Sequence, residues 1–166
     1  MDYAAQLKKL MLRRPALTLA VAESITAGHV QALVASVSGS SKYFLGGVTA
    51  YSLEQKVKLL DVNRAHARKF NCVSQRVAAE MAYGATRRFG ADLAVATTGY
   101  AEPDKAMKIK EPMAWWAICQ QLPNGRLALN SGTIETPGAT RIQAQERIAH
   151  DVVGLLIAHL TAWREG

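Results

Sequence analysis

The chain has 166 residues, 49% of them hydrophobic and 20% charged, with a formal net charge of +7. These proportions exclude the low-hydropathy, high-charge regime of disordered chains, and the length suits one hydrophobic core, so a single domain over 1–166 is expected. The longest apolar stretches, Met113 to Cys119 and Val152 to Ala158, fall well short of the ~20 residues that cross a bilayer. No basic-then-apolar leader opens the chain, and Cys72 and Cys119 form no CxxC pair, so a cytoplasmic protein without metal or cofactor is the reading. The 20 Lys and Arg are scattered, with no run longer than a pair and no interleaved aromatics. They read as a solvated basic surface rather than a nucleic-acid face.

In chain order, Tyr3, Leu7, Leu10 and Met11 make one stripe of a first helix, which Pro15 closes. Leu17 to Ala22 is a short apolar run suited to a strand buried on both faces. Ser24 and Thr26 then precede a helix carrying Val30, Leu33, Val34 and Val37 on one side. Ser38-Gly39-Ser40-Ser41 is a turn cluster, followed by Gly46-Gly47, a strand at Val48 to Tyr51 and a helix over Leu53 to Leu60. Ser74 is placed to cap the clearest helix, striped by Val77, Met81, Ala85 and Phe89 and ended by Gly90.

Leu93 to Thr97 predicts another buried strand running into a turn at Thr98-Gly99. Met113 to Gln121 and Arg126 to Ile134 predict two strands joined by Leu122-Pro123-Asn124-Gly125, the strongest hairpin signal present. A long last helix buries Ala149, Val152, Val153, Leu156, Leu160 and Trp163. The order α-β-α-β-α-α-β-β-β-α implies an α/β fold, a three-layer α/β/α sandwich around a mixed sheet. Ligands in such sheets collect where loops leave the carboxyl ends of strands.

Three polar loops could build such a pocket: Glu23 to Gly28, Ser38 to Ser41, and Thr97 to Gly99. Hydroxyls and free N–H groups at a helix start favour a phosphate or a developing oxyanion, although each loop read alone is also an ordinary cap or turn. A nucleophilic serine needs a proton acceptor. His29, His66, His150 and His159 read as surface or packing residues. Lys56 follows Tyr51-Ser52 by about one helical turn, and a desolvated lysine can act as a base.

The ordered motifs Ala22-Glu23-Ser24-x-Thr26-x-Gly28, Gly39-Ser40-Ser41-x-x-Phe44-x-x-Gly47, Tyr51-Ser52-x-x-x-Lys56, Val73-Ser74, Met81-Ala82-x-Gly84-Ala85 and Thr98-Gly99-x-Ala101 resemble the CinA C-terminal family. The resemblance runs from about Ala16 into the last helix. Enzymatic members are nicotinamide-nucleotide amidases, which convert nicotinamide mononucleotide to nicotinate mononucleotide and ammonia. It implies Ser41 as nucleophile with Tyr51 and Lys56 as proton-transfer partners, and Ser24, Thr26, Gly28, Thr98, Gly99 and Arg141 as substrate-binding residues. The implied partner is a small nucleotide, with no metal or organic cofactor, and self-association into a symmetric dimer or tetramer is expected.

The chain departs from the family pattern in its substrate loops. Ala27 replaces a glycine, Glu102 enters a glycine-rich segment where it would repel a phosphate if it faced the pocket, and Trp115-Trp116 replace small residues. Of two arginines near the last helix, only Arg141 is kept. A second reading is therefore a family member that binds a nucleotide-like ligand or a protein without turnover.

Overall fold

The computed structural model describes residues 2–166; Met1, at the head of the segment read as a first helix, lies outside them. In chain order the elements are α1 (Tyr3–Leu12), β1 (Leu19–Glu23), α2 (His29–Ala35), a short 3-10 turn (Ser40–Lys42), β2 (Phe44–Thr49), α3 (Leu53–Leu60), α4 (Arg64–Lys69), α5 (Gln75–Phe89), β3 (Leu93–Tyr100), β4 (Met113–Gln121), β5 (Leu127–Glu135) and α6 (Arg141–Glu165). The strands form one sheet in the order β2-β1-β3-β4-β5. β1 is parallel to β2 and β3, while β4 is antiparallel to β3 and β5. The sheet is therefore mixed and the fold is α/β.

Side-chain bulk sets the two faces of this sheet. Successive strand residues point to opposite sides. Leu19, Val21, Leu93, Val95, Trp116 and Ile118 thus share one core with Leu7 and Met11 of α1, Val30 and Val34 of α2 and Ile148 and Leu156 of α6. Ala20, Ala22, Ala94, Ala96 and Ala117 share the other with Leu60 of α3, Ala67 of α4 and Val77 and Met81 of α5. The alanine face lets α5 come close to the strands. Asp92 ties the starts of β1 and β3: its Oδ2 accepts from the Thr18 N–H at 2.7 Å and from the Thr18 hydroxyl at 2.8 Å.

Three local expectations change. β2 starts earlier than the Val48 to Tyr51 run because its glycines permit close approach; a Cβ on Gly47 would lie 2.5 Å from the Gln31 side chain. Tyr51 consequently falls beyond the strand. Thr98 and Gly99 are not a turn but paired strand residues opposite Trp115 and Ala114, and a Cβ on Gly99 would lie 2.1 Å from the Met113 carbonyl oxygen. The helix α4 is additional, its start capped by the Asn63 side chain. Trp116 is 6% exposed in the first core, with its indole against Gly132. Among the described residues no helix is long and apolar enough to cross a membrane.

Helices α3 and α5 meet backbone to backbone, since a Cβ on Gly84 would lie 2.2 Å from the Leu60 carbonyl oxygen. Gly84→Ala must push α3 outward, and the expected loss is about 2–3 kcal/mol, the usual cost of overpacking a dense contact. A urea midpoint equal to the parent's would show that the two helices can separate freely.

Candidate functional site

The site begins with a carboxyl group at the end of an apolar strand. Glu23 closes β1 and is fully buried. Its Oε2 accepts from the Gly28 and Val30 N–H groups, each at 3.0 Å, and its Oε1 accepts from the Gln31 N–H at 2.8 Å. These are the donors at the start of α2, whose N-cap, Gly28, has no side chain to offer. A buried carboxyl is tolerable when charge-assisted hydrogen bonds replace its water. Because Glu23 does the capping, neither Ser24 nor Thr26 serves as the helix cap expected of it. The intervening turn runs through left-handed backbone at Ala27 (φ 48°) and Gly28 (φ 102°).

Released from capping, the Ser24 hydroxyl meets a lysine. Lys56 is 1% exposed, and its Nζ lies 2.8 Å from Ser24 Oγ while donating to the Tyr51 carbonyl oxygen, also at 2.8 Å. Burial lowers the ammonium's pKa from the usual 10.5 to about 8, with the neighbouring Cys72 acting to a smaller extent in the opposite direction. In its neutral form the amine can keep one N–H on the Tyr51 carbonyl and turn its lone pair to the Ser24 hydroxyl. Such a pair can create a serine nucleophile near neutral pH.

Both groups line a cavity of about 410 Å³ at the carboxyl ends of β1 and β3. Thr98 and Gly99 also line it, as do Asn71, Cys72, Tyr51 and Arg141. The Thr98 hydroxyl donates to the Cys72 carbonyl at 2.6 Å, fixing a segment whose Asn71 and Cys72 both have positive φ. Burial pushes the Cys72 thiol pKa up, which favours the unreactive thiol over the thiolate. At the mouth, Arg141 donates to the Tyr51 hydroxyl oxygen at 2.8 Å and to Glu102 Oε2 at 2.9 Å.

Ser41, expected as the nucleophile, is not brought to the Lys56 cavity. It is exposed in the 3-10 turn before β2. The adjoining Tyr43 carbonyl accepts from the Leu19 N–H at 2.8 Å, at the beginning of β1. Lys56 follows the opposite end of β2, and six strand residues at ~3.3 Å each put roughly 20 Å of strand between the two positions. Tyr51 meets Lys56 through its carbonyl, while its hydroxyl faces Arg141. Thr26 does not line the cavity: its Oγ1 is buried 2.7 Å from Thr97 Oγ1. Gly28 likewise serves the α2 start rather than the cavity wall. None of the four histidines lines the cavity, nor does either Trp115 or Trp116.

Sequence reasoning passed over Glu23, Asn71 and Cys72. A carboxyl terminating an otherwise apolar strand directly before a helix was the available signal for Glu23. Asn71 and Cys72 carry no periodicity and follow only from the tertiary path.

The CinA C-terminal domain model matches residues 2–160. A CinA-like protein of Chlorobium limicola is 40% identical over 141 residues, which cover 84% of this chain and 32% of that protein. One from Picosynechococcus is 46% identical over 110 residues, 64% of this chain and 26% of that protein. The chain thus spans about a quarter to a third of the length of these curated relatives. Among solved structures, a CinA superfamily protein from Klebsiella pneumoniae superposes with a TM-score of 0.86 at 22% identity, covering 98% of each chain. Another from Escherichia coli gives 0.80 at 24% identity, covering 95% of this chain and 88% of that one; at these identities the likeness concerns the fold. With the family model matched along nearly all its length, the chain belongs to the CinA C-terminal domain family.

Proposed function

We propose that the protein is a carboxamide hydrolase of the nicotinamide-nucleotide amidase type, with Ser24 as nucleophile and Lys56 as general base. The observation that carries this reading is the 2.8 Å contact between Lys56 Nζ and Ser24 Oγ on the wall of the cavity. Neutral Lys56 takes the Ser24 proton as Oγ attacks the carboxamide carbon. The resulting ammonium returns that proton to the departing nitrogen, the C–N bond breaks, ammonia leaves, and the acyl group stays on Ser24 Oγ as an ester. Water then attacks the ester, again giving a proton to Lys56, and the acid departs with Ser24 Oγ reprotonated. The Tyr51 hydroxyl and the Arg141 guanidinium, held together at the mouth, orient the polar part of the substrate.

Ammonia release from nicotinamide mononucleotide and from nicotinamide riboside tests the reading. Ser24→Ala should lower kcat/KM at least a thousandfold, as loss of a nucleophile does, whereas Ser41→Ala should stay within about twofold of the parent. The opposite ranking, or no ammonia from either compound, would discard this site as a serine amidase.

Lys56 works as its neutral amine, so kcat/KM should rise about tenfold per pH unit below its pKa of about 8 and level off above it. A flat profile between pH 6 and 8 would remove Lys56 as the base. The same amine opposes folding. Its folded pKa lies below its unfolded 10.5, so the unfolded chain binds more protons, and stability falls as pH drops from 10.5 through about 8. At pH 7, Lys56→Met should abolish turnover yet raise stability by about 1–3 kcal/mol, measured by urea unfolding. A less stable variant would show that the hydrogen bonds to Ser24 and Tyr51 outweigh the cost of desolvation.

A further inference from the structure

Two places near the cavity where an anion would be held, the start of α2 and the Arg141 guanidinium, are already taken by the protein's own carboxyls, Glu23 and Glu102. Phosphate groups are held by helix N-termini and by arginine or lysine. At the α2 start, the Gly28, Val30 and Gln31 N–H groups all go to Glu23. Ser52 caps α3, and a reciprocal pair between Thr140 and Gln143 closes the start of α6. Of the side-chain cations lining the cavity, Lys56 is committed to Ser24 and the Tyr51 carbonyl, and Arg141 is paired with Glu102.

The charged residues of the lining are therefore Lys56 and Arg141 against Glu102 and Asp104. Two carboxylates thus match the two cations even when Lys56 is protonated, and the one cation at the mouth, Arg141, already has a carboxylate partner in Glu102. The Glu102 and Arg141 side chains are 60% and 46% exposed, so an arriving phosphate could pull the guanidinium away. It would then stand beside the released Glu102 and near Asp104, and like charges at such range repel. An uncharged sugar hydroxyl, or a cationic ring, meets no such penalty.

We infer that Glu102 is a specificity-determining residue, and that the site selects a carboxamide lacking a phosphate over its phosphorylated counterpart. The substrate part of this inference rests on the amidase reading; the binding preference does not. Calorimetric titration of the full chain and of Glu102→Gln with nicotinamide riboside, nicotinamide mononucleotide and inorganic phosphate tests it. The parent protein should bind the riboside at least as tightly as the nucleotide. Glu102→Gln should tighten the nucleotide and phosphate about tenfold, leaving the riboside within twofold.

Tenfold tighter binding of the nucleotide by the parent, an unchanged nucleotide-to-riboside ratio in the variant, or no binding of nucleotide and phosphate to the variant each overturns the inference. Ammonia release, followed in parallel, separates the two claims. Silence from both amides with the expected binding ratios sinks the amidase alone, while turnover that favours the nucleotide sinks the phosphate discrimination alone.

Discussion

A buried carboxyl group holds the architecture of this site together. Glu23 stands where β1 ends and α2 begins, and its two oxygens absorb three backbone donors that would otherwise be orphaned at the helix start. Two hydroxyls close by in sequence are thereby freed for other partners. Thr26 turns inward to Thr97 and braces β1 against β3, and Ser24 turns to Lys56. Had the Ser24 hydroxyl been needed to cap α2, the serine–lysine contact would have had no serine.

The opposite half of that contact is positioned by close packing. Gly84 lets α5 lie against the end of α3 at Leu60, Ser52 caps α3's first turn, and the amine four residues on is delivered under the Ser24 turn. The arrangement is costly in itself. It buries a cation with no carboxylate partner and takes non-glycine backbone through left-handed conformations at Ala27, Asn71 and Cys72. Lys56, Asn71 and Cys72 line the same cavity, and Ala27 lies in the turn that follows Ser24; strain of this kind is tolerated where the surrounding structure holds it.

Much of the scaffold could be read from the amino acids because local rules and tertiary demands agree there. The Asn124-Gly125 turn sits between β4 and β5, Ser74 and Gly90 bound α5, and α3 covers Leu53 to Leu60. Lys56 was legible for the same reason: its spacing from Tyr51 depends only on one turn of helix. Ser24 and Ser41 were not distinguishable by residue type, since each lies in a small-residue loop rich in hydroxyls. Chain direction distinguishes them. In a parallel β1–β2 pair the loop after each strand lies at one end and the loop before it at the other. Ser24 and Lys56 both follow strands, whereas Ser41 precedes one. Motif order along the chain carries no such information, because neighbouring motifs in sequence can fall at opposite ends of the same strand.

Charge follows a similar logic of place over total. The chain carries a net +7, and a surface of that sign draws anions from a distance. Beyond roughly 8 Å, however, salt screens that attraction at physiological ionic strength, and inside the cavity the local charges are those of Lys56, Arg141, Glu102 and Asp104. Glu102 comes from the segment after β3, Arg141 from the first turn of α6, and Tyr51 from the segment after β2. Joined by two hydrogen bonds, they form a bridge across the mouth in which a carboxylate is already present. On the proposed reading the basic exterior gathers metabolites of negative charge while the interior does not favour them, and selection passes to groups that carry no negative charge of their own: the Ser24 hydroxyl, the Lys56 amine beside it and the phenol of Tyr51.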